Sequence, residues 1–98
     1  MNTYITLMKL TDQGAKDLKE APKRIENGLK LFEKMGGKLI GFYATLGEYD
    51  YIGIGEAKSD EDATVFNLAL SSLGFVRTTT IRAFSISEFS KIDRKSVV

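Results

Sequence analysis

Cysteine, histidine and tryptophan are absent from these 98 residues, and proline occurs once. Without cysteine there is no disulfide framework and no thiol nucleophile. Without histidine, the Cys/His zinc site, the Ser–His couple and the imidazole acid–base group all fall away. Charge of one sign is missing too, since 14 Lys and Arg stand against 13 Asp and Glu for a net charge of +1. That balance lacks the broad basic field of a nucleic-acid binder and argues against such a partner. No apolar run approaches the ~20 residues of a membrane-spanning helix. The opening Met1-Asn2-Thr3-Tyr4-Ile5-Thr6-Leu7-Met8 has no basic stretch and does not read as an export signal. The expectation is a cytoplasmic protein with no membrane partner, no metal and no cofactor.

What is present is globular in character, with 43% hydrophobic and 28% charged residues. A chain of this length forms one domain around one core. It leaves so much surface exposed that a second copy would add stability. Residues 1–92 read as that single domain, and 93–98 as a flexible C-terminal tail.

Thr3 to Leu10 alternates apolar with short polar side chains and reads as a strand. Thr11 or Asp12 can cap the helix that follows. The apolar positions Leu18, Ala21, Ile25, Leu29, Phe32 and Met35 recur at spacings of three and four, one helical face interrupted by Pro22. A short helix over 13–20 and a main helix from Pro22 to Met35 are predicted, ended by Gly36-Gly37. Lys38 to Leu46 and Tyr49 to Ala57 read as a hairpin joined by the two-residue turn Gly47-Glu48. Ser59 to Asp62 can cap a second helix whose apolar face holds Ala63, Phe66, Leu70 and Leu73, and which ends at Gly74. Phe75 to Phe84 is the fourth strand, and Ser87-Glu88-Phe89 begins a last helical turn.

The order βαββαβ predicts an α+β, ferredoxin-like fold, with a four-stranded antiparallel sheet and both helices on one face. Period-two alternation divides the strands into two sets. Ile5, Leu7, Ile40, Phe42, Ile52, Ile54, Ile81 and Ala83 are expected beneath the helices. Tyr4, Thr6, Met8, Leu39, Tyr43, Thr45, Tyr49, Tyr51, Gly53, Gly55, Thr78, Thr80, Arg82 and Phe84 are expected on the bare face. An apolar and aromatic face of that extent marks an interface, and the expected occupant is a second copy of the chain, giving a homodimer or higher homo-oligomer of the dimeric α/β-barrel type.

Several blocks carry a family resemblance. They are Tyr4-Ile5-Thr6-Leu7, Gly36-Gly37-Lys38-Leu39, Thr45-Leu46-Gly47-Glu48-Tyr49-Asp50-Tyr51, Leu73-Gly74-Phe75-Val76-Arg77-Thr78 and Arg82-Ala83-Phe84. In that order, over roughly residues 3–90, the chain resembles the GYD domain family, whose naming triplet falls on Gly47, Tyr49 and Asp50. The resemblance implies a ferredoxin-like domain of dimeric α/β-barrel type, found in bacteria and archaea, and implies no activity.

Tyr43, Tyr49, Tyr51 and Arg82 are the candidate ligand-binding residues. Aromatic bodies with polar tips line small-molecule pockets, and an arginine can grip a carboxylate in a fork. Tyrosine and arginine also populate dimer seams. Asp50 is the fifth candidate, either toward a ligand or bonded to local backbone as turn aspartates commonly are. Glu48 reads as a solvated turn tip. Gly53 and Gly55 leave room on one strand face for a ligand or for close packing. No catalytic residue is assigned. The leading reading is a homo-oligomeric domain that binds a small molecule or serves a structural or sensory role. The alternative is a cofactor-independent isomerase or oxygenase using Tyr, Arg and Asp. RNA binding across the sheet comes third, because the basic Gly-aromatic pattern it needs is missing.

Overall fold

The computed structural model describes residues 1–96. Strand β1 (Asn2–Leu10) leads to Thr11, whose hydroxyl accepts from the Gly14 amide at 3.1 Å and caps the short helix α1 (Asp12–Lys16). A 3₁₀ turn over Leu18–Glu20 precedes helix α2 (Ala21–Lys34), with Pro22 in its first turn. There the missing proline N–H would have had no helical partner in any case. Gly36 closes α2 at φ 91°, a conformation that disfavours any residue with a Cβ. Strands β2 (Lys38–Ala44) and β3 (Tyr51–Ala57) follow. Then come helix α3 (Asp60–Ser72), capped by Ser59 Oγ on the Asp62 amide, strand β4 (Val76–Ala83) and helix α4 (Ile86–Ser96).

The strand order is β2-β3-β1-β4 and every pairing is antiparallel, which is the ferredoxin-like arrangement. Strands β1 and β3 are central, so their side chains decide what each face of the sheet presents.

The two faces are interchanged relative to the expectation from alternation. Tyr4 and Met8 are buried, each at 7% exposure. At Gly55 a Cβ would stand 2.7 Å from the Phe32 ring of α2, and Asn67 of α3 donates to Thr80 Oγ1 at 2.5 Å. The helices therefore cover the set that begins with Tyr4, Thr6 and Met8. The isoleucine set lies on the bare face, with Ile40 55% and Ile81 46% exposed. Isoleucine and threonine are equally good strand formers, so neither alternation nor propensity says which set a helix will cover. The glycines do: Gly55 makes the hollow into which Phe32 fits.

A register shift between Leu39 and Gly41, an irregularity of β-bulge type at Ile40, changes the parity along β2. Leu39 pairs with Gly55 and Phe42 with Gly53, both on the helix side. Tyr43 pairs with Ile52 on the bare side. Phe42 is thus beneath the helices and Tyr43 outside, as expected, whereas Leu39 moves inside.

The β2–β3 connection is longer than a two-residue turn. The last ladder pair is Ala44 with Tyr51, the Thr45 amide donates to the Asp50 carbonyl at 2.9 Å, and Leu46 to Tyr49 loop out between them. Gly47 holds φ 124° there. Helix α4 is also longer than the single turn expected. Ser85 Oγ accepts from the Glu88 amide and Glu88 Oε1 from the Ser85 amide, each at 3.0 Å, a reciprocal capping box encoded by Ser85-Ile86-Ser87-Glu88. Residues 93–96 of the expected tail lie in this helix, and 97–98 fall outside the described residues.

Candidate functional site

Asp50 joins the β2–β3 loop to the end of β1. Its Oδ2 accepts from the Leu10 amide at 2.8 Å, its own amide donates to the Met8 carbonyl at 2.8 Å, and its carbonyl receives the Thr45 amide. Thr45 Oγ1 donates to the Tyr49 carbonyl at 2.6 Å and closes the loop from inside. The carboxylate is engaged with a backbone amide far away in sequence, a longer reach than the local bonding a turn aspartate suggests. Glu48 at the loop tip sits 3.5 Å from Lys9 Nζ, and the same ammonium lies 5.5 Å from the Tyr49 ring centre. These groups are solvated, and such a pair contributes little.

Arg82 belongs to a second cluster at the other end of β1. Its Nε lies 3.7 Å from Asp60 Oδ1, its Nη1 donates to the Ala83 carbonyl at 3.0 Å, and its guanidinium faces the rings of Phe84 at 4.4 Å and Tyr4 at 5.7 Å. The Tyr4 hydroxyl donates to Asp60 Oδ1 at 2.5 Å. Burial lifts the Tyr4 phenol above its ordinary value, and the bond to Asp60 raises it further, so at neutral pH it is a fixed donor rather than a base.

Tyr51 lies on the helix side, stacked on Phe42 with ring centres 5.8 Å apart. Tyr43 is 59% exposed on the bare face. The five candidates are thus dispersed. Tyr43 is on one face and Tyr51 on the other, Tyr49 and Asp50 are in the loop, and Arg82 faces Tyr4 across the ladder while Tyr51 faces Met8. The last two stations are four residues apart on β1, about 13 Å at strand rise. Among the described residues, no group of three or more His, Cys, Asp or Glu is placed to hold a metal ion, and no helix is long and apolar enough to cross a membrane.

What does converge is the bare face. Ile81, Ile5 and Ile54 stand in register across β4, β1 and β3, with Thr79, Leu7 and Ile52 in the next row but one and Tyr43 opposite Ile52. Branched apolar side chains at alternate positions along neighbouring strands, with α2 and α3 on the other side of the sheet, form a continuous patch. On the helix side, a residue the sequence reading passed over is Asn67. It interrupts the apolar stripe of Ala63, Phe66 and Leu70 on α3, and a polar residue inside such a stripe is the signal that would have found it.

The profile of the GYD domain family matches residues 4–92. The chain belongs to the GYD domain family. A relative from Thermus thermophilus, named glutamine synthetase and cystathionine beta-lyase binding protein, is 36% identical over 89 residues, covering 90% of this chain and 94% of the relative. Among solved structures, FFRP-DM1 superposes with a TM-score of 0.63 at 21% identity, covering 86% of this chain and all of that one. TTHA0845, also from Thermus thermophilus, gives 0.62 at 23% identity, covering 87% and 95%. These two likenesses concern the fold. In this GYD domain, Gly47 supplies a positive φ and Asp50 ties the loop to β1, so two of the three naming residues support a junction of the backbone.

Proposed function

We propose that this GYD domain is a non-catalytic binding protein that pairs with a second copy through its isoleucine face and, as that assembly, engages a larger protein. The observation that carries the reading is the row Ile81–Ile5–Ile54, apolar, in register and on the side of the sheet away from α2 and α3. Covering it with the same face of another copy removes both from water at about 25 cal/mol per Å² of apolar surface. A two-fold pairing of identical faces is also self-complementary by construction.

The name of the Thermus thermophilus relative supports the second half of the reading. We take the partner class from it: an enzyme of the glutamine synthetase or cystathionine beta-lyase kind. A catalytic role by Tyr, Arg and Asp has less support, since Asp50 is engaged by Leu10 and Arg82 by Asp60, at opposite ends of β1. Small-molecule binding is compatible with this assembly.

Sedimentation velocity of the chain alone, and mixed with glutamine synthetase and with cystathionine beta-lyase from its own organism, tests both halves. The expected result is a dimer or larger species alone and co-sedimentation with at least one enzyme. A monomer at micromolar concentration that leaves both enzymes unshifted overturns the proposal.

A further inference from the structure

The helix-covered side of the sheet holds a partly open feature that protein binding leaves unused. Between α2, α3 and the sheet lies a cavity of about 110 Å³, walled by Met8, Leu29, Phe32, Phe42, Phe66 and Leu70 among others. It exists because two adjacent stations of β3 on this side, Gly53 and Gly55, carry no side chain. Phe32 fills the space over Gly55, whereas over Gly53 a Cβ would meet Met8 Cε at 3.4 Å and Phe42 Cδ2 at 3.6 Å, ordinary contact distances. For scale, an apolar cavity of ~150 Å³ accommodates benzene.

One part of the wall is polar. Thr6 Oγ1 and Thr80 Oγ1 are 3.4 Å apart, Asn67 Nδ2 donates to Thr80 Oγ1, and all three residues line the cavity. Asn67 Oδ1 is buried and accepts no hydrogen bond. A buried acceptor left bare is costly, and the great majority of such groups in folded proteins have a partner. A leucine at this position would extend the apolar stripe of α3 and leave nothing bare. An apolar hollow with one unmet acceptor is the chemistry of a small-molecule site, in which apolar walls supply affinity and a few polar atoms fix orientation.

We infer that this cavity binds a small, mainly apolar molecule of single-ring or short-chain size that carries one hydrogen-bond donor, its apolar body against Met8, Phe42 and Leu70 and its donor on Asn67 Oδ1, which is closed to solvent here and is offered by a rotation of the side-chain amide toward the hollow. The site lies on the face opposite the isoleucine row, so it is independent of the assembly proposed above. A ligand there spans α2, α3 and the sheet, and stabilises the packing of the layers.

Phenol and toluene, alike in shape and different in a hydroxyl for a methyl, serve as probes. In titrations of the full chain followed by the methyl resonances of Met8 and Leu70, phenol is expected to bind about tenfold more tightly than toluene, the advantage of one buried hydrogen bond. Asn67→Leu should erase that preference while retaining toluene binding, and Gly53→Ala, which fills part of the hollow, should weaken both probes. Equal affinity of the two probes for the wild-type chain overturns the assignment of the donor to Asn67. Absence of any Met8 or Leu70 response to either probe overturns the site itself and leaves an ordered water as the occupant of the polar wall. Because both of these readings come from the wild-type chain, the inference stays testable even if Asn67→Leu fails to fold.

Discussion

The Asp50 carboxylate holds the Leu10 amide at 2.8 Å, joining the β2–β3 loop to the last residue of β1. Leu10 ends its strand there, and the next residue caps α1, so this bond fixes where β1 stops and the first helix begins. Replacing Asp50 by alanine removes a charged acceptor from a half-buried amide, and a loss of about 2 kcal/mol in urea unfolding is expected. Asp50→Asn retains an acceptor and should lose less. If Asp50→Ala unfolds at the wild-type midpoint, the bond does not have this role.

Ile5 is the centre of the isoleucine row, flanked by Ile54 and Ile81. A lysine at Ile5 or Ile54 places a charge in the middle of the proposed seam. The expected outcome is at least ~100-fold weaker self-association in sedimentation equilibrium, the loss of a central interface anchor. Far-UV circular dichroism should be unchanged, because α2 and α3 pack on the opposite face. Unaltered association of both variants would place the interface elsewhere.

Tyr4 predicts an alkaline limit to stability. Its folded phenol is raised above the ordinary 10.0, chiefly by burial, so the folded state holds this proton more tightly than the unfolded chain does. The stabilisation is fully present below the ordinary value and is lost as pH rises through the raised one. Urea midpoints from pH about 8 to about 10.5 should therefore fall more steeply for the wild type than for Tyr4→Phe. Equal slopes would dissociate Tyr4 from this limit.

Glu88 gives the opposite sign at acid pH. Accepting from the Ser85 amide and capping reciprocally with the Ser85 side chain lowers its carboxyl. The contribution to α4 is present above the ordinary carboxylate range and is lost as pH falls through the lowered value. Helical circular dichroism should decline there in the wild type and already be reduced in Glu88→Ala near neutrality. An unchanged spectrum in that variant would mean that α4 forms without its cap.

Gly55→Ala drives a methyl to 2.7 Å from the Phe32 ring and 3.3 Å from the Lys38 carbonyl. A destabilisation of about 1–3 kcal/mol is expected from this overpacking. Differential scanning calorimetry checks it, with Gly53→Ala as the control that meets only ordinary contacts. A similar, small shift for both would show that α2 yields easily over β3.

Local patterns carried much of this protein into view. The period of Ala21, Ile25, Leu29 and Phe32 marked α2, the cap-forming residues around Thr11 and Ser59 and the glycines at 36 and 74 marked helix ends, and the order of elements specified the ferredoxin-like sheet. The blocks around Gly47-Glu48-Tyr49-Asp50 identified the family. All of these signals act within a few residues or depend on element order, so the chain displays them without being folded. The tertiary structure decided which face the helices cover, because alternation defines two sets of side chains and is symmetric between them. It was the fit of Phe32 over Gly55, and the bulge at Ile40 that reset the parity of β2, that broke the symmetry. The partners of Asp50 and the unmet acceptor of Asn67 were decided in the same way, since Asp50 meets Leu10, and Asn67 meets Thr80, only when separate elements of the chain are packed together.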